Sequence, residues 1–141
     1  MPIRPALRWY YPIDWPQLSH WVRFDRAKGR CETCQRPHGQ IVACLPDGRW
    51  HDGAAGTWRD GRGRVCPLPA PAAPTPPRFT RVILAAAHLD HDPTNNQPGN
   101  LRGLCQRCHM LHDRPHHLAQ RRLGYLRRYA LGDLFLGPYP V

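Results

Sequence analysis

Lysine is almost missing from this chain, and acidic residues are scarce. Lys28 is its one lysine, and Asp and Glu total 10 against 20 Lys and Arg, for a net charge of +10. Nearly all of the positive charge is therefore arginine, whose planar fork suits phosphate oxygens. A GC-rich coding sequence also favours arginine over lysine, but it does not account for so few acids. The charge predicts a polyanionic partner, because each neutralised phosphate releases condensed counterions.

Long hydrophobic runs are also missing. No stretch approaches the roughly 18 consecutive apolar residues of a membrane span. The N-terminus has neither the apolar run nor the small-residue cleavage site of a signal peptide. We therefore expect a cytoplasmic protein with no membrane partner. The 141 residues are the length of one domain. Hydrophobic content of 41% allows a core, while 17 prolines and 12 glycines indicate much irregular structure.

Six cysteines in such a protein indicate metal binding before disulfides. Four of them form two CxxC pairs, Cys31/Cys34 and Cys105/Cys108. Two such pairs supply the four thiolates of a tetrahedral structural zinc site, whose binding energy becomes folding energy. A variant would have His109 or His112 replace one cysteine. A redox pair is disfavoured because neither CxxC lies at a strand-to-helix step of a βαβ unit. Cys44 and Cys66 stand alone, and ordinary small side chains are preferred for them over ligands of a second metal site.

Local patterns before the second pair predict a helix and then hairpins. Residues 14–29 have apolar residues at helical pitch, with Asp14 as N-cap and Gln17 closing a capping box. The Asp47-Gly48 and Asp60-Gly61 dipeptides are hairpin signals, so short antiparallel strands are expected around them. The proline-rich segment 67–77 is expected to be an extended connection within one domain.

Residues around the second pair predict two strands and two helices. The β-branched and apolar segment 79–87 predicts a strand running into His88, and "LRGL" predicts a short returning strand. A helix is expected to begin near Cys105 or Gln106. A second, basic helix is expected over residues 114–134.

Histidines and aspartates concentrate on both sides of the returning strand. On a helix, His109 shares a face with His112 and Asp113, three and four residues later. If the strand bearing Asp90 and His91 lies against that helix, carboxylate and imidazole groups gather around a divalent cation. Adjacent strand residues point to opposite faces, so the end of the strand must bend.

The stretch "LDHDP…GNLRGLCQRCH", with the earlier CxxC, resembles the HNH endonucleases, the zinc-ribbon-containing branch of the ββα-metal nucleases. The resemblance covers residues 79–113 and Cys31/Cys34. It implies a small, irregular α+β fold and a single nuclease domain over residues 1–141, bacterial or phage-encoded. In that domain a helix (14–29) precedes the first zinc knuckle, hairpin insert and proline-rich connection (31–78). The ββα-metal core (79–113) and the basic helix (114–134) follow.

The resemblance also implies a role for each residue of the constellation. His91 is expected to be the general base that activates water, since a neutral imidazole accepts a proton near pH 7. Asp90 and His109 are expected to bind the catalytic divalent ion. Asn100 is expected to hydrogen-bond the loop backbone, or His91 itself, and to hold the base in orientation.

A further ligand of the catalytic ion is expected on the helix. Asp113, one full turn past His109, is preferred over His112. Mg²⁺ or Mn²⁺ suits such an oxygen-rich site, and Ni²⁺ or Zn²⁺ can also be accepted. The ion would stabilise the scissile phosphate and the leaving 3′-oxygen. The chain departs from the family pattern in the loop after His91, which has "TNNQPG" in place of paired glycines. It also departs in the segment 35–77, which is longer than the minimal connection.

The leading hypothesis is a metal-dependent DNA endonuclease that nicks or cuts the duplex, as a monomer or homodimer. Arginines around the core are candidate phosphate contacts that bind the backbone with little sequence readout; they are Arg102, Arg107, Arg114, Arg121, Arg122 and Arg128. The alternative is a non-catalytic zinc-ribbon DNA-binding protein with a nuclease-like site. A protein that only binds has no need of the whole Asp90, His91, Asn100 and His109 set.

Overall fold

The computed structural model describes Ile3, residues 5–68 and residues 75–135, with side chains described up to residue 129. The chain divides into two compact units, Met1–His109 and Met110–Val141. The first unit is a small mixed α+β structure. Most of the connection predicted at 67–77 lies outside the described residues. No helix in the described part of the chain is both long and apolar enough to cross a bilayer.

The N-terminal part of the first unit is helical. A 3-10 segment, Pro5–Tyr10, precedes α1 (Trp15–His20), which continues into a wider π-helical segment, Trp21–Arg26. The helix predicted over 14–29 is thus present, but its predicted capping box is wrong. Asp14 makes no side-chain cap bond. The backbone of Asp14 (φ −92°, ψ 14°) is not in the extended conformation from which an N-cap side chain reaches the first N–H groups.

Five short antiparallel strands follow, as the turn signals predict. They are β1 (Ile41–Cys44), β2 (Trp50–Asp52), β3 (Thr57–Arg59), β4 (Val65–Cys66) and β5 (Arg78–Arg81). Their order in the sheet is β4-β3-β2-β1-β5. Asp47 and Gly48 form the β1–β2 turn, in which Gly48 has a φ of +95° that favours glycine. Asp60 closes the β3–β4 turn by accepting the backbone N–H groups of Arg62 and Arg64.

The single strand predicted over residues 79–87 is wrong, because the chain changes sheets within it. β5 pairs with β1, whereas β6 (Leu84–His88) pairs with β7 (Leu101–Cys105) in a separate hairpin. The change occurs at Val82 and Ile83. The backbone of Val82 bonds to Gly39 and Gln40, and the Ile83 N–H donates to the side chain of Gln106. A segment of mostly β-branched and apolar residues contains no signal for such a change of partner.

One helix replaces the two helices expected after β7. It is α2 (Gln106–Phe135), with Pro115 inside it. The predicted start near Gln106 is confirmed. Proline lacks an N–H and removes one backbone hydrogen bond, but here it does not end the helix.

The core of the first unit is built around the four CxxC cysteines. Val42 of β1, Trp50 of β2 and Leu84 of β6 are each at most 5% exposed and pack in one cluster with them. Side chains from the sheet, the β6–β7 hairpin and the first turn of α2 therefore meet at the sulfur atoms.

Candidate metal centre and the adjoining loop

Four cysteine sulfurs converge at the centre of the first unit. The Sγ atoms of Cys31, Cys34, Cys105 and Cys108 all lie within 4.8 Å of one another, and all four residues are buried. The Sγ atoms of Cys34 and Cys105, 71 positions apart in the sequence, are separated by 3.5 Å. With Zn–S bonds of about 2.3 Å, tetrahedral geometry places sulfurs about 3.8 Å apart. The four side chains can therefore hold a metal ion, and the arrangement is compatible with structural zinc.

Local backbone bonds explain how each pair is presented. In the first knuckle the Gln35 N–H donates to the Cys31 carbonyl at 2.9 Å, and the Cys31 N–H donates to the Arg36 carbonyl at 3.0 Å. These bonds close a tight turn around the first pair. The second pair straddles the end of β7 and the first turn of α2, with Cys105 and Cys108 three residues apart.

None of the six cysteines forms a disulfide. The four core thiols interact strongly with one another. A hydrogen bond from Cys108 holds the pKa of the Cys105 thiol well below its ordinary value, and the same contact raises the pKa of Cys108. The pKa of Cys34 is also raised, chiefly by its hydrogen bond with Cys105. These pKa shifts arise because the four sulfur atoms lie close enough to form hydrogen bonds with one another.

A buried carboxylate ties the first knuckle to the sheet. The side chain of Asp52 is 1% exposed and accepts hydrogen bonds from Arg59 Nε at 2.9 Å and Arg30 Nη1 at 3.3 Å. Arg30 also donates to the Gln35 carbonyl in the knuckle. Burial alone would raise the pKa of Asp52, but the two guanidinium groups outweigh it and the pKa is lowered. No sequence motif distinguished Asp52 from a surface acid.

Asp90 and His91 lie in a turn immediately after β6, which ends at His88 as expected. The His91 N–H donates to the His88 carbonyl at 3.3 Å. His91 has a φ of +62°, in the left-handed region that few residues with a Cβ adopt. The chain therefore bends sharply after β6, as was expected for the end of this strand.

Asn100 is bonded to Asp90 and to the loop backbone. Its Oδ1 accepts the Asp90 N–H at 3.2 Å, and its Nδ2 donates to Asp90 Oδ1 at 2.8 Å and to the Asn95 carbonyl at 2.9 Å. The Asp90 carboxylate also accepts from the Asp92 N–H and from Asn95 Nδ2. These donors, the Asp92 N–H first, lower the pKa of Asp90 to about 2. Asp90 is therefore ionised at neutral pH.

His88 anchors the other side of this loop. Its Nε2 lies 2.9 Å from Asn96 Oδ1, and its ring stacks on Trp15 with centroids 5.0 Å apart. The Tyr11 ring meets the His88 ring edge-on at 5.7 Å. His88 thus connects the β6 end of the loop to the N-terminal helical part.

The helical candidates are distributed over the two units. His109 is half-buried in the first turn of α2 and ends the first unit. His112 and Asp113, also half-buried, belong to the second unit. Within that unit, Asp113 Oδ2 lies 4.0 Å from His117 Nε2.

The candidate phosphate-binding arginines differ in their surroundings. Arg102 is exposed on β7, and four more are exposed on α2 in the second unit; they are Arg114, Arg121, Arg122 and Arg128. Arg107 is half-buried, and its guanidinium packs against the backbone of Gly48 and Gly61. Arg107 therefore contacts the β1–β2 and β3–β4 turns of its own chain.

Comparisons of the chain with family models, with curated proteins and with solved structures found no match.

Proposed function

We propose that this protein is a metal-dependent endonuclease of the HNH kind that hydrolyses DNA phosphodiester bonds. The observation that carries the proposal is the order of elements around the four-cysteine centre. β6 leads into a bent loop bearing Asp90, His91 and Asn100, and β7 returns to the metal-binding pair. α2 then starts with His109 in its first turn. The residues proposed for proton transfer and metal binding thus lie in the loop of the β6–β7 hairpin and directly after its second strand.

Asp90 suits the role of a ligand for a hard cation. It is ionised, and its position is fixed by three N–H donors from its own loop. A carboxylate offers about four lone-pair positions, so one remains for Mg²⁺ or Mn²⁺, with Ni²⁺ or Zn²⁺ also accepted. His109 and Asp113, or His112 in its place, are proposed as the other ligands. The bound ion would supply charge stabilisation at the scissile phosphate and leaving oxygen.

His91 is proposed as the general base. Its left-handed backbone conformation is uncommon, and such conformations persist where the surroundings or a function require them. Asn100 is proposed as a positioning residue. Because it bonds both the Asp90 carboxylate and the Asn95 carbonyl, it closes the loop that begins at His91. Its contribution is geometry rather than proton transfer.

Double-stranded DNA is the proposed substrate. The net charge of +10 and the exposed arginines of α2 support binding to a phosphate backbone. These arginines would determine affinity, while the loop residues would determine cleavage.

A second candidate is a DNA-binding protein without catalysis. The contacts of Asp90 favour it, because both carboxylate oxygens already accept hydrogen bonds within the loop. An aspartate can make such bonds purely to stabilise a turn.

A relaxation assay with supercoiled plasmid distinguishes the endonuclease from the protein that only binds DNA. The zinc-loaded protein is incubated with plasmid and Mg²⁺ or Mn²⁺, beside His91→Ala and the control His20→Ala, which changes an exposed histidine of α1. We expect His91→Ala to lower the nicking rate by about 100-fold or more, with His20→Ala unchanged. Equal cleavage by all three would remove His91 from its role. If the protein binds DNA but does not cleave it with any of these metal ions, the second candidate is favoured. If it neither binds nor cleaves DNA, both candidate functions are wrong.

A further inference from the structure

Arg36 is buried beside the sulfur cluster, two residues after Cys34. The residue is 3% exposed. Its Nη1 donates to Cys34 Sγ at 3.4 Å, and its Nη2 donates to the Gly48 carbonyl at 3.1 Å. The guanidinium also lies over the Trp50 ring, 5.8 Å from its centroid. Among the described residues, its partners are thus a sulfur, a carbonyl and a ring, and none is a carboxylate.

A buried cation needs a compensating negative charge, because burial without one is costly. A divalent ion held by four thiolates supplies it, since the ion and its ligands together carry two net negative charges. The guanidinium lies against one of these four sulfurs and points a hydrogen-bond donor at it. The charge of Arg36 and the charge of the filled metal site are therefore complementary.

The inserted hairpin holds this arrangement in place. Trp50, at the start of β2, is fully buried and donates its Nε1–H to the Cys34 carbonyl at 3.0 Å. The β1–β2 turn touches both knuckles at Gly48. The Gly48 carbonyl accepts a hydrogen bond from Arg36 of the first knuckle, and the Gly48 backbone packs against Arg107, which lies between the two cysteines of the second pair.

We propose that Arg36 is the counter-charge of the four-thiolate metal centre, and that the hairpin insert serves to hold it there. Its guanidinium fork bridges the Cys34 sulfur and the Gly48 carbonyl, and so lowers the electron density that this thiolate offers to electrophiles. The bound metal is thereby protected against loss by thiol modification. Groups that hydrogen-bond metal ligands typically change metal affinity by about 10–100-fold when removed.

The rate of zinc release from the zinc-loaded protein tests whether Arg36 protects the bound metal. N-ethylmaleimide is added in excess, and released zinc is followed with a chromogenic chelator. Arg36→Gln removes the charge and keeps a polar side chain. We expect it to release zinc about 10-fold faster or more than wild type. The control Arg49→Met removes the same charge from the β1–β2 connection. Among the described residues, the ion-pair partner of Arg49 is the exposed Asp47, and this variant is expected to match wild type.

Two further measurements separate this role from a general loss of packing. In the Co²⁺-substituted protein, loss of a donor to the sulfur shifts the sulfur-to-metal charge-transfer band to longer wavelength, which loosened packing alone does not do. Arg36→Lys keeps the positive charge but loses the two-pronged guanidinium group. Its zinc-release rate and the wavelength of its charge-transfer band are therefore expected to lie between those of wild type and Arg36→Gln. Wild-type release and an unmoved band in Arg36→Gln would overturn the proposal. If Arg36→Gln does not fold, wild-type behaviour of Arg36→Lys in both measurements would overturn it.

Discussion

Replacing Asp52 by Asn is expected to destabilise the first unit by about 2 kcal/mol. Asp52 is a buried side chain that bonds both the arginine preceding the first knuckle, Arg30, and the arginine of β3, Arg59. Asparagine keeps the shape and one acceptor oxygen but loses the charge. Two guanidinium groups would then face each other across a neutral amide.

The magnitude follows from the exposure of the three partners. Breaking a fully buried ion pair costs about 3–5 kcal/mol, because a charge is left uncompensated. Here the carboxylate is 1% exposed, but the side chains of Arg30 and Arg59 are 34% and 23% exposed. Solvent therefore screens part of the residual charge, which reduces the loss to about 2 kcal/mol. For a chain of this length, that corresponds to a lower melting temperature by about 6 °C.

Urea and thermal denaturation of the zinc-loaded protein at pH 7 measure the loss. The matched control is Asp47→Asn, which removes the same charge from the same sheet. Asp47 is 49% exposed, and its ion-pair partner among the described residues is Arg49. The control is therefore expected to lie within about 0.5 kcal/mol of wild type. Equal stability of the two variants would refute the reasoning that burial of Asp52, rather than its charge alone, makes the contact strong.

Three further predictions concern the β6–β7 hairpin, the loop that connects β6 to β7, and the four-cysteine cluster. Gly103→Ala is expected to destabilise the protein by about 1–3 kcal/mol, because an added Cβ would lie 3.2 Å from Ala27 Cβ. Gly99 has open space around it, so the control Gly99→Ala should leave the stability measured by urea denaturation unchanged. Asn100→Ala removes a donor to the Asp90 carboxylate, so a carbon-13 NMR titration should find the pKa of Asp90 raised from about 2; an unchanged value would contradict the described hydrogen bond. Zinc affinity should fall as pH is lowered from 8 to 6, because thiols with raised pKa values must lose protons to bind the ion. A pH-independent affinity, measured by competition with a chelator, would contradict it.

Features that depend on local sequence were predictable. The two CxxC pairs identified the cysteines that converge, because the spacing within each pair is set by a short turn. The Asp-Gly dipeptides located the β1–β2 and β3–β4 turns. The bend after β6 was predicted because adjacent strand residues point to opposite faces, so that Asp90 and His91 can face the same way only if the end of the strand bends.

Features that depend on distant contacts were not predictable. The change of sheet at Val82 and Ile83 is determined by backbone partners at Gly39 and Gln40, far back in the sequence. Nothing in the sequence around Arg36 distinguishes it from the many other arginines of the chain. Its burial follows from the position of Trp50 in β2, which no local pattern around Arg36 encodes.

X-ray absorption at the zinc edge tests the central claim most directly, namely that four cysteines from two distant segments hold one metal ion at the core. The protein purified with zinc is expected to contain one zinc per chain with four sulfur neighbours at about 2.3 Å. A nitrogen in the first coordination sphere would place a histidine among the ligands, and a protein that folds with no bound zinc would contradict the account.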